Sequence, residues 1–157
     1  MTPAARIAAA IDLVSIVETN RTTPAPEIAN AFFRARRYIG AGDRRAISER
    51  LWRCLRTRRR LIWWLGSALT PRLEVAASLL FETSTLADIV HTFSGARFAP
   101  PPLAPDEYAA LARLEGHELD DPEMPEAVRL ELPDWLFQRL QASLGETLAA
   151  EALRWRA

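Results

Sequence analysis

Eleven arginines stand between residues 34 and 60 of this 157-residue chain, opposed there only by Asp43 and Glu49. A guanidinium offers five N–H donors in a rigid fork that fits phosphate oxygens, and its flat face stacks on bases, so a dense arginine segment has the chemistry of an anion-binding surface. The plainer reading is a solvated helix face, because Arg45–Glu49 and Glu49–Arg53 have the four-residue spacing of helical ion pairs. One glutamate cannot neutralise that face, and Arg56, Arg58, Arg59 and Arg60 follow with no acid near them in sequence. Anion binding is therefore the expectation. Trp63 and Trp64 come next and could stack on bases. Adjacent helical residues diverge by about 100°, so at most one should be central in the core and the other nearer the surface, with core packing expected of the pair as a whole.

Catalytic constellations are sparse. His91 and His117 are the only histidines and Cys54 the only cysteine, with no paired spacing for zinc, no glycine-rich phosphate loop, no G-x-S-x-G and no H-E-x-x-H. His91, beside Val90 and Phe93, reads as a structural histidine. The carboxylates of Glu118, Asp120, Asp121 and Glu123 lack the ladder and central glycine of an EF-hand, so they read as a solvated loop. Cys54 cannot form an internal bridge, and the N-terminal stretch, carrying Asp12 and Glu18, is unlike a secretory h-region; both point to a reducing, cytoplasmic setting.

Overall charge is zero, with 20 basic and 20 acidic residues, and every basic residue is arginine. The distribution is far from even: residues 34 to 60 carry +9, and nine acids in residues 104 to 131 face only Arg113 and Arg129. Such asymmetry implies an anionic partner for one face. A hydrophobic content of 49% suffices for one substantial core. The longest apolar run, residues 61 to 69, is short of the roughly 20 residues that span a bilayer, so no membrane partner is expected.

The elements that must hold these residues read as helices almost throughout. Ile7, Ala10, Ile11, Val14 and Val17 recur at steps of three and four, predicting a helix over residues 3 to about 18. A second runs from residues 23 to 26 to about Arg37, burying Ile28, Ala31 and Phe32, and the two glycines of YIGAGD break it. Asp43 is the expected N-cap of a third helix with Ile47, Leu51, Cys54 and Leu55 buried. Arg58 falls on that apolar stripe, so the helix should end or bend near Thr57 or Arg58 before an element carrying Leu61, Ile62, Trp64 and Leu65. Thr70–Pro71 opens a helix using Leu73, Ala76, Ala77 and Leu80, and Thr85 with Asp88 has capping-box spacing. An extended proline stretch, a helix over about 106 to 114, an irregular loop over residues 116 to 133 and a final helix pair parted near Gly145 complete the chain.

Two stretches resemble a known family. FFRARRYIGAGDRRAISERLWRCLRTRRRL, with its aromatic-basic helix end, glycine turn and Asp-Arg-Arg helix start, resembles the N-terminal domain of the Sun/Fmu ribosomal-RNA cytosine-5 methyltransferases. MPEAVRLELPDWLFQRLQASLGE resembles that family's Pro-x-Trp-Leu helix and glycine-acidic break, in the same order, and the resemblance extends over nearly all 157 residues. It implies a NusB-like all-α bundle of about seven to eight helices, one domain over residues 1–157, acting as an RNA-binding accessory to a catalytic domain. That catalytic domain would bind S-adenosylmethionine and carry the Pro-Cys and Thr-Cys motifs, which are not in this chain, so the chain alone is expected to be no enzyme, to hold no cofactor, and to be an excised domain or a truncated relative.

The leading expectation is thus a surface that grips structured ribosomal RNA through phosphate contacts from Arg36, Arg37, Arg44, Arg45, Arg56, Arg59 and Arg60, while the methyltransferase domain, in cis, modifies cytosine. Phosphate contacts position RNA without reading its sequence. The alternative is a helical module whose basic face docks an acidic protein or the catalytic domain itself. A third reading, interfacial membrane binding by RRRLIWWL, conflicts with the need for those aromatics in a core.

Overall fold

The computed structural model describes residues 1–156; Ala157, the last residue of the single domain expected over 1–157, lies outside the described residues. The first helix starts where its opening dipeptide dictates. Thr2 stays extended and its hydroxyl accepts from the Ala5 amide, and Pro3 occupies a first-turn position where no N–H is needed. Helix α1 (Pro3–Thr19) is followed by α2 (Ala25–Ala35), α3 (Ala41–Arg56), α4 (Arg58–Leu65), α5 (Pro71–Leu80), α6 (Leu86–Thr92), α7 (Pro105–Ala112), α8 (Glu126–Arg129), α9 (Asp134–Leu144) and α10 (Leu148–Arg156). Single 3-10 turns lie at Gly66–Ala68 and Gly145–Thr147. Among the described residues there is no strand, and the all-α bundle expected from the sequence is the fold.

Helix α5 is the hub. It packs on α1, α3, α4, α6 and α7, and every side chain from Leu73 to Ser78 is buried. Periodicity predicted a stripe of four residues there; a helix surrounded on all sides buries its polar positions too. One apolar cluster joins α1, α2 and α3 through Leu13, Val14, Phe32, Ile47 and Leu51. A second joins α4 to α7 through Leu61, Leu73, Ile89, Phe93 and Leu111, and Ile7, Ile11 and Leu79 touch both. Helices α9 and α10 form a hairpin on a small third cluster of Leu130, Leu148 and Ala152.

Local chemistry was mostly readable. The Thr70 hydroxyl accepts from the Leu73 amide, and Thr85 and Asp88 make the expected reciprocal capping box. Asp43 does not cap α3: Gly40 takes that position, and the Asp43 carboxylate instead accepts from Arg6 Nε at 2.5 Å. That hydrogen bond holds its carboxyl below the usual carboxylate range. The long loop also departs from expectation. It contains the one-turn helix α8 and buries Met124, Ala127 and Leu130, so apolar residues that looked isolated among charges serve as anchors.

Between α6 and α7 the chain turns sharply on Gly95, which has φ +72° and donates its N–H to the Pro100 carbonyl at 3.0 Å. A Cβ there would stand 2.9 Å from Pro102 Cδ. Gly95→Ala is therefore expected to destabilise the protein by about 1–3 kcal/mol, through both the left-handed backbone and the clash, which urea unfolding would measure.

Candidate nucleic-acid interface

The arginine segment is divided by the bend that its own sequence requires. Helix α3 ends at Arg56, the Thr57 hydroxyl donates back to the Arg53 carbonyl at 2.8 Å, and α4 begins at Arg58. Arg58 would otherwise lie on the buried stripe; breaking the helix lets its guanidinium reach Glu18 at 3.3 Å.

Beyond the bend the arginines face inward. Arg60 is only 9% exposed, and it donates from Nε to Glu131 at 2.8 Å and from a terminal nitrogen to Asp120 at 2.7 Å. Arg59 gives its main-chain N–H to Glu131 at 3.0 Å and its guanidinium to the Leu132 carbonyl and to Asp134, 3.1 Å away. Arg59 and Arg60, expected to contact phosphate, direct donors to acids brought in from residues 120 to 134. Sequence adjacency could not reveal those partners, which lie some 60 to 75 positions away. Before the bend, Arg50 and Arg53 share Glu82, at 2.8 and 3.2 Å.

The remaining arginines form a surface. Among the described residues, Arg36, Arg37, Arg44, Arg45 and Arg56 have no carboxylate within ion-pair distance, and neither does Arg34, which sequence reasoning did not single out. The Arg36 guanidinium lies 3.8 Å above the Phe32 ring, and Arg44 donates from Nε to the Ile39 carbonyl at 2.8 Å. Each contact orients a guanidinium while leaving other N–H donors free. Arg37 and Arg45 are exposed.

Arg34, Arg44 and Arg45 line a groove of about 540 Å³ between α2 and α3, together with Asn30, Phe33 and Trp52 among others, with no acid in its wall. Arg45 and Trp52 are seven residues apart on α3 and share a helical face. That spacing was the available signal for Trp52, masked by the more conspicuous tryptophan pair. Arg56 is exposed further along the same face and opens onto a smaller groove with Arg53, Leu153 and Arg156.

Trp63 and Trp64 belong to the framework. Their rings meet edge to face at 5.0 Å, and Trp64 donates its indole N–H to the Leu119 carbonyl at 2.8 Å while packing against Phe81 and His117. Trp64 thereby anchors the segment that carries Leu119 and His117 on α4. Both tryptophans are half-buried, so neither takes the central core position open to one of them. Of the four carboxylates expected in a solvated loop, Glu118, Asp120 and Glu123 are exposed and Asp121 is half-buried, and Asp120 also pairs with Arg60.

For nucleophilic chemistry the one thiol is unsuitable. Cys54 is fully buried on α3, and burial, only partly offset by Ser78, pushes it up to about 12. His91 is exposed, against the expectation of a packed structural histidine.

An all-α bundle with one arginine-lined face is the class that fold and surface define. No protein-family model matches the chain, and comparisons with curated proteins and with solved structures gave no match. Among the described residues, no helix is long and apolar enough to cross a membrane.

Proposed function

We propose that this chain is a non-catalytic RNA-binding domain that holds structured RNA by its phosphates for a separate catalytic domain. The observation that carries the reading is the acid-free groove between α2 and α3, where Arg34, Arg44 and Arg45 stand without carboxylate partners. The nearby Arg36 and Arg37 extend the same positive face. Paired arginines serve the fold; unpaired ones held in place by aromatic rings and carbonyls are preorganised for an external anion. Arg56 would add a contact further along α3. The resemblance to Sun/Fmu methyltransferases supports ribosomal RNA as the ligand, with a methyltransferase domain binding S-adenosylmethionine in cis.

Binding should weaken steeply with salt. Arg37→Glu with Arg45→Glu is expected to lower affinity for a ribosomal stem-loop about tenfold or more and to flatten the log–log salt slope by about 1.5, because two phosphate contacts are lost. Fluorescence anisotropy from 50 to 300 mM salt would test it, and an unchanged slope would count against the reading.

One observation favours the protein-docking alternative: Trp135 and Trp155, on the α9–α10 hairpin, are 63% and 56% exposed. Exposed aromatics of that size suit a protein interface. Nuclease-resistant co-purification with a methyltransferase domain, lost in Trp135→Ala with Trp155→Ala, would support it.

A further inference from the structure

A second groove has Arg36 in its wall, and it is aromatic where the first is cationic. Its volume is about 600 Å³, in the range that takes a small organic molecule, and its floor is the alanine face of α1, Ala5, Ala8 and Ala9. Tyr38 and Phe98 line it and are 76% and 69% exposed, the two most exposed aromatic side chains among the described residues. Among the described residues neither ring packs on another aromatic ring.

Cations surround these rings. Arg36 lines the groove, Arg37 adjoins Tyr38 in the chain, and the Arg97 guanidinium lies 4.8 Å from the Phe98 centroid. Asp12 is the one acid in the wall. Phe98 also holds φ +66°, a backbone region that a phenylalanine occupies at a cost of about 1–3 kcal/mol. Flat apolar rings among guanidiniums complement a ligand that is itself flat and linked to an anion.

We propose that this groove takes an unpaired base of single-stranded RNA, stacked on Tyr38 or Phe98 while Arg36 and Arg37 hold the flanking phosphates. The inference rests on the RNA-binding reading for its phosphate contacts, and it adds a ligand class: RNA with an exposed base, in place of an uninterrupted duplex. Stacking tolerates any base, so it confers strand type and not sequence.

The test uses the full chain with three probes: single-stranded hexa-adenylate, a 12-base-pair RNA duplex and a ribosomal stem-loop. Phe98→Gly suits the left-handed backbone and should fold normally; Tyr38→Ala changes an exposed turn residue. Each should weaken hexa-adenylate binding about tenfold, leave duplex affinity within twofold, and keep the salt slope unchanged. Hexa-adenylate affinity unaffected in both variants would overturn the proposal while leaving the phosphate-binding reading intact. Binding of hexa-adenylate that depends on Phe98, with no binding of duplex or stem-loop, would do the reverse.

Discussion

Glu131→Ala is expected to cost about 3–5 kcal/mol of folding stability, a large share of what a domain of this size possesses. One carboxylate performs two tasks. It accepts from the main-chain N–H groups of Arg59 and Arg60, at 3.0 and 3.2 Å, which are among the free amides opening α4. Helix α4 has no capping side chain of its own, since the Thr57 hydroxyl points back into α3. The same carboxylate pairs with Arg60 Nε at 2.8 Å, with both side chains only 11% exposed. Removing it leaves two amides and a largely buried guanidinium to the half-exposed Asp120 alone. Glu131→Gln should cost less, because an amide oxygen still accepts from the helix start. Arg60→Met with Glu131→Leu should recover part of the loss, since an apolar pair removes the stranded charge; what it does not recover measures the capping. Urea midpoints at constant m-value would give each number.

The same contact explains why a neutral chain concentrates its charge. The acids of residues 120 to 134 are not merely a counterweight on a distant surface; Asp120, Glu131 and Asp134 close on Arg59 and Arg60. The arginine segment is therefore half framework and half surface, and among the described residues only the surface half stands without carboxylate partners. Most helix positions, the caps at Thr70 and Thr85 and the bend at Thr57 were legible because each depends on residues within one or two turns. Periodicity put Ile47, Leu51 and Cys54 inside and placed the break where Arg58 would have been buried. The division of the arginines was not legible, because it depends on contacts across some 60 to 75 residues that no local pattern encodes. Burial around α5 was underestimated for a related reason: periodicity finds the more apolar face of a helix and says nothing about a neighbour that covers the other.

That underestimate concealed Glu74. It lies fully buried in the middle of α5, and among the described residues no donor reaches either of its carboxyl oxygens. The groups around it are Glu18 on α1, itself 3.3 Å from Arg58 of α4, and Cys54 and Ser78, linked to each other by a 3.6 Å contact. Burial first, and then the adjoining Glu18 carboxyl, push Glu74 up to about 9 from 4.5. Burial of an unpartnered carboxyl favours its neutral form, so Glu74 keeps its proton, while the ion pair that the structure holds beside it is Arg58 with Glu18. The consequence for stability has a definite sign. The folded state retains this proton up to about pH 9 whereas the unfolded chain releases it near 4.5, so the contribution of Glu74 is complete below pH 4.5 and is lost as pH rises towards 9. Across that window the slope approaches about 1.4 kcal/mol per pH unit. Glu74→Gln imitates the protonated form and cannot ionise. It is expected to unfold with no such slope, to equal the wild type near pH 5, and to exceed it by about 1–4 kcal/mol at pH 8. The difference between the two pH–stability curves isolates this group, because Asp43, Asp88 and every other carboxyl titrate in both proteins. Curves that run parallel from pH 5 to 9 would mean that Glu74 is ionised in the core, with Arg58 balancing both carboxylates.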